Sequence, residues 1–230
     1  MNSDKQLHLN NLDATTPALV SVNSLCFAGN QQFVSQESSF DFWASEFMSI
    51  FVILPFQAYS NRLISGHQYN WSPLISQTSN SYFCDLTDPF LSVRYNWNGQ
   101  IALSIGEAIL ATLQINNDVA GNKPVAVGLH YVPTGDGSTA TATLFLYDNA
   151  QHSSTAFVNF SSKFNNSFHP DKLTYGSIQV TNLTNSVILD SSFYALEINH
   201  YYGNEVSITD DFIAQEFNTL DKMYGLSKGR

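Results

Sequence analysis

Two short clusters carry the side chains best suited to contact chemistry, Tyr69-Asn70-Trp71 and Tyr95-Asn96-Trp97. Each sets flat rings beside a carboxamide, a combination that stacks on a sugar face and hydrogen-bonds its hydroxyls. Tyr69, Trp71, Tyr95 and Trp97 are therefore the candidate contact residues. Both clusters border expected turns, where rings tend to face solvent. Aromatic residues make up 13% of the chain, so most must pack in a core or a subunit interface, and these four compete with that use.

Covalent and metal chemistry find less support. Ser is abundant, yet no Gly-x-Ser-x-Gly elbow occurs. The six histidines (His8, His67, His130, His152, His169 and His200) are scattered, with none at metal-pairing spacing. Neither HExxH nor Cys-x-x-Cys is found. His130 and His200 fall on expected strands and read as ordinary sheet residues. Gly135-Asp136-Gly137 reads as a hairpin turn, not as a phosphate-cradling loop between strand and helix. Cys26 and Cys84 could pair, but two cysteines make no disulfide framework, and free buried thiols are expected.

The elements that must position these residues follow from composition. Of 230 residues, 43% are hydrophobic, enough for a sizeable core. Only 12% are charged, about half the usual ~25%, so Ser, Thr, Asn and Gln must cover the surface. Long exposed helices need charged faces, which disfavours an α-rich fold. A net charge of −10 repels phosphate backbones and anionic membranes alike, and no basic cluster offsets it. Met1 to Asp13 lacks the layout of a secretory signal. The apolar run Phe47 to Phe56 is about ten residues long, against the ~20 needed to span a bilayer.

Short alternating or β-branched runs dominate. Strands are expected at Leu19–Phe27, Phe40–Phe47, Met48–Pro55, Ser81–Leu86, Leu91–Trp97, Ile101–Ile105 and Ala108–Ile115. Further ones are expected at Val125–Val132, Thr139–Tyr147, Ala156–Phe160, Leu173–Val180 and Phe193–Tyr202. Bounded by Gly, Pro, Asn and Asp, these are the marks of an antiparallel sandwich or barrel. Asn96-Trp97-Asn98-Gly99 and Thr134-Gly135-Asp136-Gly137 read as hairpin turns. One helix stands at the C-terminal end: Thr209 as N-cap, Asp210 and Asp211 in the first turn, and an apolar stripe of Ile213, Phe217, Leu220 and Tyr224. Lys222 lies near its end, and Gly225 suits the left-handed cap. Nothing divides the chain, so residues 1–17 are expected to form an N-terminal arm or first edge strand, and residues 18–230 one sandwich domain.

The closing stretch, Phe193 to Tyr202, then Val206 to Phe217, then Lys222-Met-Tyr-Gly-Leu226, resembles the end of concanavalin A-like (laminin-G-like) jelly rolls. Three upstream pieces resemble that family in the same order: Lys123-Pro-Val-Ala-Val-Gly-Leu-His-Tyr131, Leu144-Phe-Leu-Tyr-Asp-Asn149 and Leu173-Thr-Tyr-Gly176. The likeness runs over about residues 120 to 226. Pro124 departs from the family's Trp, Asn149 from a Gly, and Ala195 from a Gly, although Asn still tolerates a left-handed turn.

The resemblance implies an all-β fold, a two-sheet antiparallel jelly-roll sandwich with one short C-terminal α-helix. Glucan-cleaving relatives carry a Glu-x-Asp-x-x-Glu strand, whose carboxylates divide the acid and nucleophile work. Here the nearest echo is Glu197-Ile-Asn199, with an amide where a second carboxylate is needed, so no catalysis is expected. Lectin relatives often bind calcium through loop oxygens, and Asp136, Asp148 and Asn149 could supply them. Turn chemistry explains the same three residues without an ion, and no other cofactor is expected.

Two function classes remain. One is a non-catalytic structural or interaction protein, a virion component (capsid, decoration or tail-associated) assembled in the host cytoplasm. Its partners would be proteins of a larger assembly and further copies of itself. The alternative is a soluble carbohydrate-binding lectin module, with or without calcium.

Overall fold

The computed structural model describes residues 7–11, 19–21, 24–29, 31–35, 44–54, 71–78, 83–85, 91–96, 99–106, 108–115, 123–135, 137–160, 172–176, 178–182, 185–189 and 191–227. Their elements run β1 (Leu7–Asn11), β2 (Leu19–Ser21), β3 (Ser24–Gly29), β4 (Gln31–Ser35), β5 (Phe47–Leu54) and β6 (Trp71–Thr78). There follow β7 (Phe83–Asp85), β8 (Leu91–Asn96), β9 (Gln100–Ile105), β10 (Ala108–Gln114), β11 (Val125–Thr134) and β12 (Thr139–Tyr147). Last come β13 (Gln151–Asn159), β14 (Lys172–Gly176), β15 (Ile178–Asn182), β16 (Asn185–Leu189), β17 (Ser191–Tyr202) and the helix α1 (Asp210–Tyr224).

The strands form the expected two-sheet β-sandwich. The front sheet has the order β1-β4-β14-β6-β8-β9-β10, and the back sheet the order β13-β12-β11-β5-β17-β3-β2. Each is antiparallel throughout. A third, three-stranded sheet, β16-β15-β7, contains the one departure from that expectation among the described strands, since β15 and β7 run parallel.

Central strand β5 explains why Phe47 to Leu54 reads as one apolar run. Phe47, Phe51 and Ile53 point between the sheets, while Met48, Ile50 and Val52 point outward beneath α1. A strand covered on both faces has no polar side to show. The inner core joins these residues to Val93, Tyr95, Leu103, Val127, Leu129, Tyr131, Leu144 and Tyr175. The outer core joins Met48, Ile50 and Val52 to Phe145, Ile213, Phe217, Leu220 and Leu226.

The helix is built as the sequence predicts. The Thr209 hydroxyl accepts from Phe212 N–H, and Gly225 sits at φ 65° and donates to the Asp221 carbonyl. Ile213, Phe217 and Leu220 are buried, and Tyr224 is partly so. Phe217 lies 5.8 Å from both Tyr147, on which it stacks, and Phe145. Gly128 lets it in: a Cβ there would stand 3.3 Å from Phe217 Cζ. Of the expected strand Phe40–Phe47, residues 44–46 form a turn and a non-strand lead-in, and Phe47 opens β5.

Candidate functional site

The most suggestive arrangement lies at one end of the front sheet. Trp71 stands opposite Asn96 where β6 pairs with β8. Past it the chain turns tightly, with Gly99 N–H donating to the Asn96 carbonyl at 3.0 Å and Gly99 at φ 74°. That turn returns Gln100 to Asn96: Asn96 Nδ2 donates to Gln100 Oε1 at 2.8 Å, and Asn96 Oδ1 accepts from Gln100 N–H at 3.0 Å. Gln114 on β10 is the register partner of Gln100.

Directly paired residues of antiparallel strands share a face. Trp71, Asn96, Gln100 and Gln114 therefore form one transverse row across β6, β8, β9 and β10. Trp71 and Gln100 are half-buried and Gln114 is exposed, whereas Asn96 is only 4% exposed. Asn96 thus works as the clamp that fixes Gln100, and leaves the Gln100 Nε2 donors directed away from it. The Gln114 amide donates to the carbonyls of Gly99 at 3.3 Å and Ile115 at 3.2 Å, pinning the end of the row. A flat indole beside ordered carboxamides can stack on an apolar sugar face and bond adjacent hydroxyls.

Beyond this row, the outer face of the front sheet is a floor of small hydroxyls. Thr174, Ser76, Ser92 and Ser104 follow one another in register, all buried. The Ser92 and Ser104 hydroxyls meet at 2.9 Å. Buried Arg94 donates from Nε to Ser92 Oγ at 2.8 Å and from Nη2 to the Gly106 carbonyl at 2.6 Å.

The other candidates fare differently. Tyr95 is 0% exposed and belongs to the inner core. Its position alternates with that of Asn96, so its side chain points between the sheets where that of Asn96 points to the outer face, and its ring is not a contact surface. Tyr69, Trp97 and Asp136 lie outside the described residues. Asp148 is buried in the β12–β13 turn, where its Oδ1 accepts from Asn149 N–H at 2.6 Å and lies 3.4 Å from His152 Nε2. Gly135 and Gly137, which flank Asp136, stand at the far end of nine-residue β12. Strand β12 therefore separates those two glycines from Asp148 by about 30 Å at strand rise. No group of three His, Cys, Asp or Glu side chains able to hold a metal occurs among the described residues.

Glu197 has a structural partner. Its Oε2 accepts from the Tyr224 hydroxyl at 2.6 Å, tying the last turn of α1 to β17. Burial first, and then this carboxylate, pushes the Tyr224 hydroxyl up to about 12. Tyr201 likewise donates to Glu216, and its pKa is raised by burial and by that contact. Cys26 and Cys84 lie on β3 and β7, in different sheets, with side chains outside the described residues. No helix among the described residues is long and apolar enough to cross a membrane.

Sequence reasoning singled out Trp71 but missed Gln100 and Gln114. The signal was present: once Asn96–Gly99 is read as a hairpin turn, counting back from it puts Gln100 beside Asn96.

No protein-family model matches the chain, and no curated protein matches it significantly in sequence. Solved structures do match in shape. The binding domain of botulinum neurotoxin serotype G superposes with a TM-score of 0.52 at 13% identity, covering 96% of this chain and 48% of that one. A structure of botulinum neurotoxin type C, whose cell entry depends upon interaction with two ganglioside molecules, gives 0.54 at 10% identity, covering 93% and 47%. Trypanosoma rangeli sialidase gives 0.52 at 14% identity, covering 89% of this chain and 28% of that one. This chain thus spans about half the length of the toxin structures. At such identities the likeness is one of fold: the chain has the β-sandwich architecture that these proteins contain.

Proposed function

We propose that this chain is a non-catalytic binding module that recognises carbohydrate through the Trp71–Asn96–Gln100–Gln114 row. The observation that carries the reading is the alignment of one half-buried indole with ordered carboxamides across four strands. Support also comes from the architecture it shares with the serotype G binding domain and with the ganglioside-dependent type C toxin. The engagement of Glu197 by Tyr224 favours a structural role for that carboxylate over an acid–base one.

A glycan array, run with and without a calcium chelator, tests this reading. Saturable binding is expected, unchanged by chelation, because the row uses no carboxylate. Trp71→Ala removes the stacking anchor, worth about 2 kcal/mol at an interface centre, and lowers affinity roughly 30-fold. An array without a bound glycan, or affinity untouched in Trp71→Ala, rejects the proposal.

A second reading makes the same module a virion component that contacts partner proteins, host glycans or both. It is favoured by the charge-free sequences of surface strands β10 and β13, which suit packing against other subunits. Recovery of the chain in purified particles supports it, and its absence from them rejects it.

A further inference from the structure

Each sheet of a sandwich ends in two strands with open backbone groups, and folded proteins guard such edges with short strands, bulges, prolines or charges. Back-sheet edge β2 is only three residues long. Front-sheet edge β10 carries a register shift between Ile109 and Ala111. Among the described residues, edge strand β13 has none of these guards. It runs nine residues, pairs with β12 in unbroken register, and contains neither Pro nor Lys, Arg, Asp or Glu. Phe157 on it is 65% exposed, and Ile109 and Leu110 on neighbouring β10 are also exposed.

We propose that β13 pairs antiparallel with β13 of a second copy of this chain, joining the two back sheets into one continuous sheet across a two-fold axis at Thr155. The strand is self-complementary about that residue. Gln151 then opposes Asn159, Ser153 opposes Phe157, and Thr155 opposes itself on the outer face; His152 opposes Val158 and Ser154 opposes Ala156 on the inner face. A two-fold interface requires this reciprocity, and the Thr155–Thr155 and Gln151–Asn159 pairs can hydrogen-bond across it. Charge selects the occupant. Two chains of net charge −10 repel over most approaches, whereas β13 and β10 offer a side without a carboxylate on either strand. A partner of unlike charge would need no such neutral side.

Sedimentation equilibrium of the full chain tests the pairing. The wild type is expected to sediment as a dimer. Thr155→Lys sets like charges against each other at the axis and shifts the mass to monomer, with the circular dichroism spectrum unchanged. Thr155→Glu does the same alone, and mixing the two variants restores the dimer mass, because only residues facing each other can compensate. A wild-type monomer at the highest soluble concentration, a Thr155→Lys dimer, or a mixture that stays monomeric overturns the proposal.

Discussion

Ser49 Oγ and the Tyr175 hydroxyl lie 2.5 Å apart in the middle of the sandwich, one from each sheet. The same Tyr175 hydroxyl is 3.2 Å from His200 Nδ1, and His200 is the strand partner of Ser49. Around this contact the packing is aromatic: Phe51 stacks on Tyr175 at 5.6 Å, and Tyr202 meets His200 edge-on at 4.5 Å. Burial raises the Tyr175 pKa, so its hydroxyl keeps its proton. Serine, histidine and tyrosine here form a polar rivet between sheets. Apolar packing alone lets two sheets slide; a hydrogen bond across the core fixes their offset.

Tyr175→Phe keeps the ring and removes the rivet. It leaves Ser49 Oγ and His200 Nδ1 without this partner, which costs about 1–3 kcal/mol. Adding Ser49→Ala recovers part of that loss, because an absent pair costs less than a half-broken one. Urea unfolding of the single and double variants measures the coupling. Additive losses would mean that the two hydroxyls do not act together.

His200 also makes stability depend on pH. Burial lowers its pKa to about 3 from the ordinary 6.5. Below 6.5 the unfolded chain therefore binds a proton that the folded chain refuses until about pH 3. Protonation then favours unfolding, so this stabilisation is complete above 6.5 and declines as the pH falls from 6.5 to 3. Its slope is at most about 1.4 kcal/mol per pH unit. His200→Gln is expected to flatten the profile within that window and leave it unchanged above pH 7. Chemical denaturation at a series of pH values checks both halves.

The outer core predicts a different loss. Phe217 is fully buried between Tyr147, Phe145 and Gly128. Phe217→Ala leaves a cavity between helix and sheet, costing about 3–5 kcal/mol. Calorimetry should show a correspondingly lower melting temperature. An unchanged one would mean that α1 does not pack on the back sheet.

These elements differ in how openly the sequence declares them. The helix was legible because local rules govern it: Thr209, the paired aspartates, the apolar stripe and Gly225 each act within a turn or two. Strand β6 was not legible. Pro73 argues against a strand, and only the register shift between Pro73 and Ile75 shows how the pairing accommodates it. Strands β4 and β16 went unmarked because Gln31–Ser35 and Asn185–Leu189 are only five residues long and each opens on two polar residues, whereas β1 (Leu7–Asn11) falls within residues 1–17, where an arm or first edge strand is expected. The run Leu173–Val180 breaks into β14 and β15 after Gly176, which has φ 88°. The candidate site was half legible. Trp71 and Asn96 each stood out, but no local pattern says that residues 25 apart in sequence are neighbours; register across β6 and β8 decides that.

Glu197 gives the sharpest contrast between a structural and a chemical role. Its carboxylate accepts from Tyr224 at 2.6 Å, so what it needs is an acceptor oxygen and not a titratable proton. Glu197→Gln keeps an acceptor in place and should change stability by less than about 1 kcal/mol. Tyr224→Phe removes the donor and loosens the end of the helix, costing about 1 kcal/mol more than Glu197→Gln does. A hydrolytic carboxylate predicts the reverse order in an activity assay, with Gln abolishing turnover and the Tyr224 change nearly silent. Thermal melts of both variants, with a β-glucan hydrolysis panel run beside them, separate the two roles. A measurable wild-type rate that Glu197→Gln removes would make this residue a catalytic group.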